Sequence, residues 1–126
     1  MFADIFLECS HGFRKGRGTQ SFFAQVESWG KVDEVVPADI VSCFDRIPHE
    51  GLLNTLLRYV DDTQLLFLIR NFLIVDIFDR DGRNYTNTHI GIPQGSPMSP
   101  VLMNIYLHQF DLSLMMEVQQ SVPHLR

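Results

Sequence analysis

The chain has 126 residues, of which 45% are hydrophobic, and its ten basic and fifteen acidic side chains give a formal net charge of −5. Length and composition suit one globular domain; at this size about 65% of the unfolded surface is buried on folding, so a missing large element would be felt as lost stability. The acidic balance argues against a free-standing nucleic-acid binder with a broad basic face. Basic residues gather toward the amino end, at Arg14, Lys15, Arg17 and Lys31, and the acidic excess begins at Asp33.

In chain order, Phe22, Phe23, Val26 and Trp29 recur at helical spacing from Thr19, which can cap the start, to Gly30, which can end it. Val32 to Val41 reads as a strand rich in Val and Ile, with Asp39 inside it; Pro37 confines it to an edge or a bulge. Beyond a turn at Ser42, Cys43 and Phe44, and beyond Pro48, the spacing of Leu52, Leu53, Leu56, Leu57 and Val60 predicts a helix. Leu65, Leu66, Ile69, Phe72 and Leu73 predict a second, with Asp61 and Asp62 breaking or capping between the two. Ile74 to Phe78 and Tyr85 to Ile90 flank an Asp-Gly turn signal at Asp81 and Gly82 and predict a hairpin. Gly91 to Ser99 holds two Gly and two Pro and is read as a loop. Pro100 then fits the first turn of a helix running through Leu102, Ile105, Tyr106 and Phe110 to Met116. The expected fold class is α+β, a central strand and a hairpin covered by helices.

Cys9 and Cys43 have no second Cys or His at ligand spacing; they form neither a disulfide framework nor a zinc site and are expected as buried free thiols. No apolar run reaches the roughly 18 residues of a membrane span, and Met1 to Cys9, which includes Asp4 and Glu8, does not read as a targeting peptide.

Two segments carry chemistry. Ala38 to Asp45 sets the Asp39 carboxylate in an apolar strand, where it requires a hydrogen-bond partner, an opposite charge or a cation. Mg²⁺ suits such a carboxylate together with a backbone carbonyl such as that of Ile40, and a turn cap or an arginine pair satisfies it equally. Gly91-Ile92-Pro93-Gln94-Gly95-Ser96-Pro97-Met98-Ser99-Pro100 offers a Gln side chain and a closely approachable backbone just before a helix whose amino end favours phosphate. A plain connecting loop is the other reading, although such loops seldom need so many constrained residues in a row.

Taken together with His11 to Thr19, these segments resemble the reverse transcriptases encoded by group II introns, including intron-derived reading frames of plant mitochondria. His11 to Thr19 is similar to the family's fingers block, Ala38 to His49 to its first metal block, and Gly91 to Asp111 to its nucleotide-pocket block and the Asn-Ile-Tyr-Leu helix that follows; the resemblance spans about Ser10 to Asp111. It implies one partial reverse-transcriptase domain over 1–126, with a fingers portion at about 10–37, a palm and fingers portion at about 38–120, and no thumb. By resemblance Asp39 is the first catalytic aspartate and, with the Ile40 carbonyl, a Mg²⁺ ligand. Phe44 lies under the incoming sugar and excludes a 2′-hydroxyl. Gln94 and Gly95 contact the nucleotide, and Gly95, Ser96 and Pro97 pack beside the template or the new base pair. Arg14, Lys15 and Arg17 lie where the fingers clamp the triphosphate.

Nucleotidyl transfer uses two metal ions about 4 Å apart, more than one aspartate can hold. The family supplies the remaining carboxylates as an adjacent aspartate pair after the nucleotide-pocket block, and the chain is read as ending before it. Tyr59-Val60-Asp61-Asp62 spells that signature but precedes the Gly91 block on a helical Leu pattern, so capping aspartates are expected there. The resemblance therefore implies a piece of an RNA-directed DNA polymerase active in intron mobility and splicing, inactive alone, with intron RNA and deoxynucleotides as partners, an incomplete Mg²⁺ site and a mitochondrial location. A separately encoded carboxy-terminal piece is a further partner it allows. A non-catalytic RNA- or partner-binding module and a decayed reading frame are the alternatives.

Overall fold

A computed structural model of the chain describes residues 4–75, 77–78, 81–82, 84–85 and 89–121. It is mostly helical, with helices α1 (Thr19–Ser28), α2 (Cys43–Arg46), α3 (His49–Leu56), α4 (Thr63–Leu73) and α5 (Ser99–Ser121) and a short antiparallel pair, β1 (Ile77–Phe78) and β2 (Asn84–Tyr85). The chain divides into two compact units: Ile40–Tyr106, and Met1–Asp39 together with Leu107–Arg126.

The apolar core lies in the Ile40–Tyr106 unit. Leu52 and Leu56 on α3, Ile69 and Leu73 on α4, Leu102 and Ile105 on α5, and Ile47, Val60 and Ile92 between helices are all buried. Each fully buried aliphatic side chain contributes about 1.5–3 kcal/mol relative to exposure. The α3 and α4 segments make an antiparallel helical hairpin rather than one kinked helix. Its break is the predicted one, because Asp62 is the N-cap of α4 and its Oδ1 accepts from the Gln64 and Leu65 N–H groups at 2.9 and 3.0 Å. On α3, Gly51 lets the Tyr106 ring approach closely, since a Cβ there would lie 3.2 Å from Tyr106 Cε2.

In the other unit, α1 ends as predicted: Gly30, at φ 73°, takes the left-handed conformation that follows a helix. Its start differs by one residue. Gly18 occupies the N-cap position and its N–H donates to Ser21 Oγ at 2.9 Å, so Ser21 rather than Thr19 serves the amino end. The His11 ring joins this helix through Ser21 Oγ and Gln25 Oε1, and Phe6 meets His108 edge to face. Among the described residues, no apolar side chain of this unit is buried; Phe22, Phe23 and Trp29 of α1 are exposed.

Three expectations are corrected. Residues 31–40 form neither helix nor ladder, so the central strand is not formed among the described residues; Val35 and Val36 are 78% and 81% exposed. A strand preference records fitness for a pleated, half-buried surface beside another strand. No backbone group of residues 31–41 pairs with another backbone group among the described residues, and Pro37 has no N–H to offer. Cys9 is exposed and Cys43 partly so, because neither falls on a face that packs against the core. The turn at residues 42–44 is instead the start of α2, entered through Ser42 in the left-handed conformation at φ 52°. At the expected hairpin, Ile77 pairs with Tyr85 and Phe78 with Asn84. Asp79 and Arg80 of its turn lie outside the described residues.

Candidate functional site

The blocks at 42–49 and 89–99 are brought together inside the Ile40–Tyr106 unit. Pro48 and Ile90 form an antiparallel bridge flanked by two backbone hydrogen bonds, His49 N–H to the His89 carbonyl at 2.9 Å and Gly91 N–H to the Ile47 carbonyl at 2.8 Å. Pro48 occupies the non-hydrogen-bonded position of this pair, where its missing N–H loses nothing. His49 N–H belongs to the first turn of α3 and has no acceptor within the helix, so the His89 carbonyl satisfies an otherwise orphaned donor. One residue on, Ile92 N–H donates to the Phe44 carbonyl at 2.8 Å.

These bonds set the loop beside the residues that the resemblance singles out. Gln94 is exposed, and its Nε2 donates to Asp45 Oδ1 at 3.0 Å, tying the loop to α2. Phe44 is half-buried. Gly91 and Gly95 have φ of 93° and 89°, which L side chains rarely adopt, and Gly95 lies in a turn of the loop. Ser96 Oγ accepts from Met98 N–H, Pro97 is exposed, and the buried Ser99 hydroxyl donates to the Pro93 carbonyl, closing the loop onto the start of α5.

The remaining candidates belong to the other unit, except Ile40. Arg14 Nη1 donates to the Leu7 and Ser10 carbonyls at 2.9 and 2.7 Å, and its guanidinium lies 5.3 Å from the Phe6 ring centre. Arg17 is engaged with the Glu8 carbonyl and carboxylate, and its hydrogen bond and charge hold the Glu8 carboxyl below its ordinary range. Lys15 is exposed. A concavity of about 490 Å³ at the amino end of α1 is lined by Gly16, Arg17, Gly18, Thr19, Gln20 and Ser21. Asp39 is exposed, as is Ile40, so the desolvation that made a buried Asp39 demand a partner does not arise. Among the described residues no three His, Cys, Asp or Glu side chains gather at metal-binding distance. One carboxylate and one carbonyl do not complete the near-octahedral oxygen set of Mg²⁺.

A cleft of about 540 Å³, of small-molecule size, lies between α3 and α4 and is lined by His49, Glu50, Leu53, Asn54, Arg70, Leu73, Ile74 and His89. Apart from His49, which closes the metal-type block, it touches none of the blocks that carry the family resemblance. Volume is therefore a poorer guide to the site than the hydrogen bonds of the loop. Residue spacing also leaves out Asp45, the partner of Gln94, and the His49 ring. A polar side chain at 49, on the same helical face as Leu52 and Leu56, was the available signal.

Two of the three segments that carry the resemblance to reverse transcriptases are thus hydrogen-bonded together within one compact unit. Residues 2–124 match the reverse transcriptase (RNA-dependent DNA polymerase) family, and the chain belongs to that family. It is 36% identical over 112 residues to an uncharacterized 91 kDa protein in the cob intron of Schizosaccharomyces pombe, covering 88% of this chain and 14% of that protein. It is 32% identical over 127 aligned positions to the group II intron-encoded protein LtrA of Lactococcus lactis subsp. cremoris, covering 98% and 21%. It is 30% identical over 112 residues to nuclear intron maturase 4, mitochondrial, of Arabidopsis thaliana, covering 88% and 14%. The chain thus corresponds to a segment of a reverse transcriptase domain of group II intron type and spans about a seventh to a fifth of the length of these relatives. Among the described residues no helix is long and apolar enough to cross a membrane.

Proposed function

We propose that this chain supplies the nucleotide side of an RNA-directed DNA polymerase of group II intron type and does not polymerise alone. The observation that carries the reading is the joining of the Phe44-Asp45 and Gly91 to Pro100 blocks through the Ile92 to Phe44 and Gln94 to Asp45 hydrogen bonds. In this reading residues of about 10–37 belong to the fingers and about 38–120 to palm and fingers. Phe44 packs under the incoming sugar. Gln94 and Gly95 meet the nucleotide, and Gly95, Ser96 and Pro97 flank the template or new base pair. Arg14, Lys15 and Arg17 meet the triphosphate in this reading; Lys15 is exposed, whereas Arg14 and Arg17 must first release their present carbonyl and carboxylate partners.

Asp39 and the Ile40 carbonyl offer two oxygens to Mg²⁺, which in this reading neutralises triphosphate charge when bound. The other carboxylates come from sequence outside these 126 residues, including a separate polypeptide. The template and primer are intron RNA, the substrates are deoxynucleoside triphosphates, and the setting is the mitochondrion, in keeping with the relative nuclear intron maturase 4, mitochondrial, of Arabidopsis thaliana. A titration of the ¹⁵N-labelled chain with a Mg²⁺-bound deoxynucleoside triphosphate tests the reading. Amide shifts confined to Lys15, Phe44, Gln94 and Gly95 support it; shifts centred on the cleft of His49, Asn54 and Arg70, or none, overturn it.

A further inference from the structure

We infer that His49 is a positioning residue for the nucleotide loop, its buried imidazole pinning the peptide group that joins Gly91 to Ile92. The inference deepens the reading proposed above, since the function of the pinned loop rests on it. His49 is 6% exposed and shares a helical face with the fully buried Leu52 and Leu56. An imidazole placed there is unfavourable unless it is hydrogen-bonded. Its Nε2 lies 2.6 Å from the Gly91 carbonyl oxygen. A carbonyl only accepts, so Nε2 carries the hydrogen in this arrangement, and the other nitrogen, Nδ1, is an acceptor that has no partner among the described residues.

The Gly91 carbonyl and the Ile92 N–H are the two ends of one peptide group. The N–H end donates to the Phe44 carbonyl and the oxygen end accepts from His49. This matters because Gly91, at φ 93°, lacks the Cβ that would otherwise restrict rotation of that peptide. Apart from the exposed Gln94 to Asp45 side-chain bond, the other bonds across this seam run backbone to backbone and need no particular side chain at 49. On this peptide group, the imidazole bond alone depends on side-chain identity. If the plane turns, the Ile92 to Phe44 bond is lost, and with it the register that lets Gln94 reach Asp45.

The test uses the full chain with His49→Met, which is apolar and of similar bulk, and His49→Gln, whose amide can donate in place of Nε2–H. Three readouts are taken: the ring tautomer from long-range ¹⁵N spectra of the unsubstituted chain, amide hydrogen exchange at Ile92 relative to Ile69 and Leu73 of α4, and the nucleotide titration. The expected results are an Nε2–H tautomer, a roughly tenfold faster Ile92 exchange in His49→Met with α4 unchanged, and near-complete recovery in His49→Gln. An Nδ1–H tautomer, unchanged Ile92 exchange, or equal acceleration throughout the unit overturns the inference. If the exchange pattern holds but the unsubstituted chain gives no nucleotide shifts, the pinning stands and the proposed function fails.

Discussion

Replacing Asp62 with Ala separates a helix cap from a metal ligand, the two readings open to the Tyr-Val-Asp-Asp sequence at 59–62. The Asp62 carboxylate accepts two first-turn N–H groups of α4 through one oxygen. Losing such a cap destabilises a fold by about 1 kcal/mol, with a range of roughly 0.5–2, and the helix dipole adds about 0.3–1 kcal/mol for the lost charge. For a chain of this length about 1 kcal/mol lowers Tm by roughly 4 °C. Asp62→Asn keeps an acceptor and falls only by the dipole part, whereas Asp61→Ala, at an exposed residue next to the cap, stays within about 0.5 kcal/mol. Thermal melts followed by far-ultraviolet circular dichroism, with and without Mg²⁺, measure all three. The cap reasoning is refuted if Asp61→Ala and Asp62→Ala lose the same stability, or if Mg²⁺ raises the Tm of the unsubstituted chain and each of the three substitutions removes that rise.

Two further perturbations follow from the core and from burial of charge. Leu56→Ala empties a fully buried position between helices and is expected to lower stability by about 2–5 kcal/mol in urea unfolding, against under 1 kcal/mol for the exposed Leu57→Ala. Burial raises the Asp111 carboxyl above its ordinary value, opposed by the charge of His108. The folded state then holds its proton more tightly than the unfolded one, so ionisation of Asp111 lowers stability as pH rises from the unfolded value, about 3.9, through the raised folded value. Asp111→Asn is therefore more stable than the unsubstituted chain at pH 7 by chemical denaturation, and the difference closes below about pH 3.9.

What was legible in the sequence was what repeats locally. The apolar spacing that predicted α1, α3, α4 and α5 is a property of neighbours three and four residues apart, and Asp62 and Gly30 act within one turn of the helices they bound. The segment at 32–41 was misread because a strand is made by a partner, and Val and Ile alone do not supply one. Family resemblance found Gln94 without Asp45, 49 residues away, and passed over the His49 side chain because its acceptor at Gly91 is 42 residues away. The same holds at the basic turn, where Arg14 and Arg17 read as free charges until folding turns them onto Leu7, Glu8 and Ser10. Asp39 is the reverse case: its motif was visible, but its exposure was not, and the argument from a buried charge fell with the strand.

Primer extension on an RNA template, with the purified chain, deoxynucleoside triphosphates and Mg²⁺, tests most directly whether these residues form only part of a reverse transcriptase site. No extension is expected from the chain alone, and none from Asp39→Ala. Template-dependent extension that Asp39→Ala abolishes would contradict this, because the chain would then hold a complete catalytic centre.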